Sequence, residues 1–124
     1  MNAMKWNDQT PIFRQLKEKV IELILDGEVE EGEAVPSVRQ VAADYQINPL
    51  TVSKAYQELV DDQILEKKRG LGMFVTTGAK VQLFEQEKQH FLQEEWPKII
   101  IRISRLGLKA EQLLAANSAE GSKK

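Results

Sequence analysis

Apolar side chains recur at helical spacing near the start of the chain. In residues 11–26 they are Phe13, Leu16, Val20 and Ile24. Spacings of three and four residues place these side chains on one face of a helix, so the pattern predicts an amphipathic helix. Pro11 suits the first turn of that helix, and Gly27 provides a natural stop.

A second and a third helix are predicted to follow, with a very short turn between them. Ser37 begins the second helix, because Ser37 and Gln40 match a capping box in which Gln40 reaches back to the Ser37 amide. Asn48 caps the third helix, and Pro49 occupies its first turn. The buried stripes consist of Val38, Val41, Ala42 and Tyr45 in the second helix, and Val52, Ala55, Tyr56, Leu59 and Val60 in the third. Only residues 46–47 separate the second helix from the next cap, which predicts a helix-turn-helix.

Two short segments after the third helix have the pattern of β-strands. They cover residues 64–67 and 73–76, and the turn between them contains Gly70 and Gly72. Because glycine tolerates positive φ, this arrangement predicts a β-hairpin. Three helices followed by a hairpin form a winged helix. The expected fold is therefore mainly α with a small β-hairpin, a winged helix-turn-helix domain over residues 1–78.

The apolar pattern changes after the hairpin, and residues 79–124 are predicted to form a helical dimerisation region. Pro97 should break or kink the helical pattern near Trp96 and give two helices, with a second weak point at Gly107. Alternating spacings of four and three give a heptad-like seam over about three heptads. The seam consists of Leu92, Trp96, Ile99, Ile103, Leu106, Ala110 and Leu113. Because this tail is so apolar, we expect it to pair two chains. The alternative is that the tail folds back on the domain of its own chain.

The composition argues against several classes of protein. The 124 residues include no cysteine and one histidine, His90, so neither a disulfide framework, a zinc site nor a Ser/His/Asp triad is expected. We therefore expect no enzyme activity, no metal and no cofactor. No segment approaches the ~18–20 continuous apolar residues of a membrane span, so no membrane partner is expected. The first residues carry no apolar signal core, which predicts a cytoplasmic protein.

The net charge of −2 does not by itself indicate a nucleic-acid partner, but the charges are segregated. Acidic residues crowd residues 22–33, whereas Lys67, Lys68 and Arg69 are contiguous in the turn of the hairpin. Any anion-binding face must therefore be local. A hairpin tip of this composition can lie against a sugar-phosphate backbone or enter a minor groove.

One face of the third helix is not explained by its core stripe. It carries Leu50, Thr51, Ser53, Lys54 and Gln57. The second helix of a helix-turn-helix lies in the major groove of DNA with its N-terminus nearest the base edges. Short polar side chains there can donate to phosphates or bases, and Leu50 can pack on a thymine methyl group. Arg39 faces away from its own core stripe and can reach a phosphate or a guanine. Ordinary solvated positions are the alternative for this face.

The segment from Pro11 to Val75 resembles the DNA-binding domain of GntR-type bacterial transcription regulators. The matching pieces are Pro11-Ile12-Phe13 with Gln15, Gly27, Gly32, Pro36-Ser37 with Arg39, Asn48-Pro49 with Thr51-Val52, Lys54-Ala55-Tyr56, and Arg69-Gly70 with Gly72 and Phe74-Val75. The resemblance implies DNA contacts at Arg39, Asn48, Pro49, Leu50, Thr51, Ser53, Lys54, Arg69 and Gly70. It also implies a phosphate contact at Ser37; helix capping alone is the alternative, and the two roles are compatible. Lys67 and Lys68 are added from charge alone.

Four positions depart from the usual family pattern. Glu31 stands where proline often precedes Gly32, and Gln63 stands where glycine usually follows the third helix. Both are expected to be loop adjustments. Leu50 replaces a commonly polar residue and Lys54 a common arginine. Because lysine cannot make the bidentate contact of arginine, these two positions are expected to set the operator preference.

The stretch after the hairpin is too short for the effector domains of the larger subfamilies. It resembles the short YtrA-like subfamily, whose tail serves dimerisation and whose members often control neighbouring transporter operons. We therefore expect a homodimeric repressor that binds an inverted-repeat operator on double-stranded DNA, with half-sites about one helical turn apart. The sequence identifies no small-molecule effector. The alternative is a winged-helix protein-interaction module that does not bind DNA.

Overall fold

The computed structural model describes the backbone of residues 6–121 and the side chains of residues 6–117. Its elements are α1 (Ile12–Leu25), α2 (Val38–Tyr45), α3 (Pro49–Asp61), β1 (Leu65–Lys68), β2 (Gly72–Val75), α4 (Ala79–His90), a π-helical segment (Phe91–Glu95), α5 (Trp96–Arg105) and α6 (Ala110–Gly121). The chain divides into two compact units, Met1–Phe84 and Glu85–Lys124. The predicted fold, helices with one small hairpin, is confirmed.

The first unit is built around α3, against which both α1 and α2 pack. Buried apolar side chains from the helices, the strands and the start of α4 form one core. They are Leu16, Val20, Ile24, Val35, Val41, Ala42, Tyr45, Val52, Ala55, Tyr56, Leu59, Ile64, Leu65, Val75, Ala79 and Leu83. Three members of the predicted stripes, Phe13, Val38 and Val60, are only partly buried and pack at the edge of this core.

Side-chain caps begin α2 and α3 as predicted. The Ser37 hydroxyl accepts a hydrogen bond from the Gln40 amide at 3.1 Å, and the Asn48 side chain accepts one from the Leu50 amide at 2.9 Å. The capping box is only half formed, because the Gln40 side chain donates to Asp44 at 2.9 Å and does not reach back to Ser37. An i, i+4 partner on the same helix face competes for this amide.

The hairpin is antiparallel, and both strands are shifted by one residue from the prediction. Lys68 pairs with Gly72, so residues 69–71 form the tip, which the Leu71 amide closes by donating to the Lys68 carbonyl at 2.8 Å. The segment before α2 extends the sheet: the Val35 amide donates to the Met73 carbonyl at 2.9 Å. The wing is thereby tied to the helix-turn-helix.

The start of α4 belongs to the core of the first unit, since Ala79 and Leu83 are buried there. The Glu31 carboxylate accepts a hydrogen bond from the Lys80 amide at 3.1 Å, and the Gln82 side chain donates to the Asp62 carbonyl at 2.9 Å. Glu31, one of the departures from the family pattern, therefore caps α4. The functional boundary predicted between residues 78 and 79 stays a prediction.

The second unit begins within α4, and no non-helical residue separates α4, the π-helical segment and α5. No non-helical gap occurs near Pro97, because the chain widens its helical turn just before this residue; the alternative form of the prediction, a kink, stays a prediction. The Trp96 amide donates to the Phe91 carbonyl, five residues back, and Pro97 then lies in the first turn of α5, where an amide donor is not needed. The two helical stretches are instead separated at Gly107, whose φ is 73°.

No side chain is buried within the second unit, as far as its residues 85–117 are described. Its exposed large apolar side chains are Phe91, Leu92, Ile99, Ile100, Ile101, Leu106, Leu108, Leu113 and Leu114. Trp96 and Ile103 are partly exposed. In residues 6–121 no helix has the length and apolar character needed to cross a membrane.

The turn after α3 predicts a stability gain from one substitution. Gln63 has φ of 65°, a left-handed conformation that costs a residue with a Cβ atom about 1 kcal/mol, and its side chain is exposed. Gln63→Gly should raise the free energy of unfolding by about 0.5 kcal/mol, because the relief of strain exceeds the added entropy of the unfolded chain. Urea denaturation measures this. Gln63→Ala is the control and should give no gain; equal stability of all three proteins would contradict the prediction.

The Glu31 cap predicts a pH dependence of stability. Hydrogen bonds from the backbone amides of Gly78 and then Lys80 lower the pKa of Glu31 from its ordinary value of 4.5. A lowered folded-state pKa means that the stabilisation is present above pH 4.5 and is lost as the pH falls through the folded-state value. Glu31→Ala should therefore unfold more easily than wild type at neutral pH but not in acid. Glu28→Ala, which removes an exposed carboxylate nearby, should show no such difference.

Candidate nucleic-acid interface

Tyr56 fixes how α3 sits in the helix-turn-helix. Its ring is fully buried, and its hydroxyl donates to the Pro36 carbonyl at 2.6 Å. Burial raises the pKa of Tyr56, and the neighbouring Tyr45 raises it further. The hydroxyl therefore stays protonated and able to donate. This bond holds the segment that leads into α2 against α3. Tyr45 packs edge-on against Trp6 with ring centroids 5.8 Å apart.

At the C-terminal end of α3, an ion-pair cluster joins this helix to α1. The Lys17 ammonium lies 3.3 Å from Glu58 and 3.0 Å from Asp62. Burial lowers the pKa of Lys17, but hydrogen bonds to Asp62 and Glu58 outweigh this and raise it overall. These contacts use the C-terminal part of α3 for packing and leave its N-terminal part open.

The N-terminal part of α3 is exposed, as the predicted interface requires. Its outward side chains are Asn48, Pro49, Leu50, Ser53 and Lys54, while Thr51 is partly exposed. Leu50 is 75% exposed, which leaves it free to contact a partner. The cap uses only the side-chain oxygen of Asn48, so its amide group still has donors for a phosphate or a base.

The first turn of α2 supplies the next predicted residues. Arg39 is exposed on it, and Ser37 is exposed at its cap. The Ser37 oxygen accepts the Gln40 amide, which leaves the hydroxyl proton available to donate to a phosphate. Capping and DNA contact are therefore compatible at this position.

The tip of the wing carries the cationic cluster. Lys67, Lys68, Arg69 and Gly70 are all exposed. The Lys68 ammonium lies 4.6 Å from the centroid of the Phe74 ring and 3.7 Å from the Glu66 carboxylate. Leu71, for which the sequence predicts no role, is 72% exposed between two glycines at this tip.

Lys54 has a partner that the helical pattern did not predict. Its ammonium lies 4.0 Å from the centroid of the Phe13 ring, which comes from the first turn of α1. Spacing alone places Phe13 on the core stripe of the first helix. Only the packing of α1 across α3 brings the two residues together, so no local sequence signal could have found the pair.

This arrangement is that of a winged helix-turn-helix DNA-binding protein. It combines a three-helix core, a short turn before α3, an exposed N-terminal part of α3 and a cationic wing. The sequence profile described as "Bacterial regulatory proteins, gntR family" matches residues 13–75. The chain belongs to this family, and it is a DNA-binding transcription regulator.

Relatives and solved structures are similar to this protein over most of its chain. The HTH-type transcriptional repressor YtrA of Bacillus subtilis (strain 168) is 38% identical over 104 residues, 84% of this chain and 79% of the relative. A GntR family transcriptional regulator from Listeria monocytogenes has a TM-score of 0.72 at 28% identity, covering 92% of this chain and 98% of that one. YtrA from Sulfolobus acidocaldarius has a TM-score of 0.56 at 30% identity, covering 73% of this chain and 95% of that one. The family and these relatives are transcription regulators.

Proposed function

We propose that this chain is a homodimeric repressor that binds an inverted-repeat operator in the cytoplasm. The observation that carries the proposal is the exposed N-terminal part of α3, held by a fully buried opposite face. Repression is supported by the resemblance to a YtrA repressor that covers 84% of this chain. In this proposal residues 1–78 bind DNA and residues 79–124 join two chains.

The N-terminal part of α3 would lie in the major groove. There Asn48, Thr51 and Ser53 can donate hydrogen bonds, and Leu50 can contact a thymine methyl group. Pro49 starts the helix, and the positive end of the helix dipole there favours a phosphate. Lys54 adds a positive charge on the same part of the helix.

Two flanking groups would contact the DNA backbone. Ser37 and Arg39 extend the contact from the start of α2. The wing adds Lys67, Lys68, Arg69 and Gly70, where the missing side chain of glycine allows close approach of the backbone. Phosphate contacts supply affinity and a steep salt dependence, whereas base contacts supply specificity. A protein of net charge −2 can bind DNA in this way because Lys67, Lys68 and Arg69 form a local cationic cluster in the wing.

Dimerisation is supported by the exposed apolar surface of the second unit. Within α5, Trp96, Ile99 and Ile103 lie on one side, whereas Lys98 and Arg102 lie on another. Leu92 lies in the π-helical segment, Leu106 ends α5, and Leu113 lies in α6. An apolar surface of this extent is unusual for a monomer, and a second copy of the chain would cover it. A two-fold dimer presents two copies of α3, which matches an inverted repeat.

The competing function is a winged-helix module that binds protein and not DNA. The exposed cations of the wing and the polar start of α3 favour DNA. The two functions differ in their response to salt: DNA binding that falls steeply with added salt supports phosphate contacts, whereas no binding at low salt supports the protein-interaction module.

Substitutions at the interface should weaken operator binding without unfolding the protein. Arg39→Ala and Lys54→Ala should each reduce the slope of log affinity against log salt by roughly one if each removes one phosphate contact. Thr51→Ala should reduce affinity through the loss of a hydrogen bond. Gel-shift titrations at several salt concentrations measure both effects. Lys88→Ala removes an exposed cation from α4 and serves as the control. Unchanged affinity in all three interface variants would falsify the assignment.

Charges placed in the tail seam should separate the two chains. Ile99→Glu combined with Ile103→Glu should yield monomers, because carboxylates cannot be buried unpaired at an apolar interface. The monomer should bind the operator weakly. Sedimentation equilibrium measures the mass. Ile101→Glu is a matched control, since two residues correspond to about 200° of helical rotation and place Ile101 on the other side of α5. A dimer that survives the double substitution rules out this seam.

A further inference from the structure

We infer that Phe13 is a positioning residue for DNA binding, whose ring holds the Lys54 ammonium in place for a phosphate without neutralising its charge. The inference rests on the proposed DNA-binding function of α3. It gives α1, which carries none of the predicted contacts, a direct effect on the DNA-facing surface.

The geometry is that of a cation over an aromatic face. The Lys54 ammonium is 4.0 Å from the Phe13 centroid, well within the distance at which a ring attracts a cation. Phe13 is partly buried and packs against the core, so its ring has a fixed place. The Arg14 guanidinium carbon lies 5.9 Å from the same centroid. Two cations beside one ring create a positive local potential that favours an anion.

Lys17 and Lys54 differ in what holds their ammonium groups. Lys17 is paired with Glu58 and Asp62, so its charge is neutralised by carboxylates. Among the described side chains, Lys54 forms no salt bridge. A ring contacts only one side of an ammonium group, and the remaining N–H donors stay open to solvent. Lys54 is therefore both held and still charged.

Fixing this side chain before DNA arrives reduces the entropy lost on binding. Lysine has a long flexible stem, and ordering it at an interface opposes association. In the wing, Lys68 lies over Phe74 in the same way, but the negative charge of Glu66, 3.7 Å away, partly offsets its potential. Of these two ring-held lysines, Lys54 is the one that has no carboxylate partner among the described side chains.

The contact itself is tested in the free protein by NMR. The side-chain methylene protons next to the Lys54 ammonium should be shifted upfield by the ring current of Phe13. Phe13→Leu should abolish this shift, and Phe13→Tyr should preserve it. An unshifted Lys54 signal in the wild-type protein would overturn the inference, whether or not the protein binds DNA.

Its effect on binding is tested by a double-mutant cycle on the operator. Phe13→Leu should weaken binding about two- to fivefold and Phe13→Tyr should not, because only the tyrosine ring still attracts the cation. In a Lys54→Ala background, Phe13→Leu should have no further effect. Equal affinity of wild type and Phe13→Leu, or the same loss in both backgrounds, would contradict the inference.

A shape-preserving variant separates positioning from packing. Pentafluorophenylalanine at position 13 keeps the ring but removes its attraction for cations, and it should weaken binding as leucine does. Thermal unfolding of each variant verifies that the fold is intact. Binding at wild-type strength by this variant overturns the inference while leaving the proposed function untouched. A wild-type protein that binds no DNA overturns the proposed function instead.

Discussion

Burial of one face of α3 is the constraint on which the rest of the structure depends. Val52, Ala55 and Leu59 are fully buried, and Tyr56 adds a hydrogen bond to the segment before α2. A helix held in this way cannot rotate without exposing its apolar stripe, at a cost of about 1.5–3 kcal/mol for each large side chain. The opposite face is therefore presented in one orientation, which base reading requires.

The short connections around α3 keep this orientation rigid. The turn before it ends α2 in a left-handed residue, Gln46, and the turn after it uses another, Gln63. Neither residue is glycine, so both turns carry strain that the packed core must offset. The wing is tied to the same frame through Val35 and Met73. The helix and the wing can therefore engage one DNA duplex as a single body.

The helix caps and the winged helix-turn-helix were predictable from the sequence, whereas the π-helical segment and the contact between Lys54 and Phe13 were not. The caps at Ser37 and Asn48 depend on neighbours within a few residues, so the sequence pattern predicted both caps. The π-helical segment before Pro97 was not predicted, because a π-helical turn leaves no distinct spacing of apolar residues. The contact of Lys54 with Phe13 was also missed, since it exists only once α1 crosses α3. The assignment of individual DNA contacts still rests on exposure and chemistry.

Selection of bound sequences from a random pool of double-stranded DNA tests the central claim most directly. The account predicts enrichment of an inverted repeat whose half-sites lie about one helical turn apart, because two copies of α3 would enter successive major grooves on one side of the duplex. No enrichment, or enrichment of a single asymmetric site, would contradict the account of a symmetric dimer that reads DNA through α3.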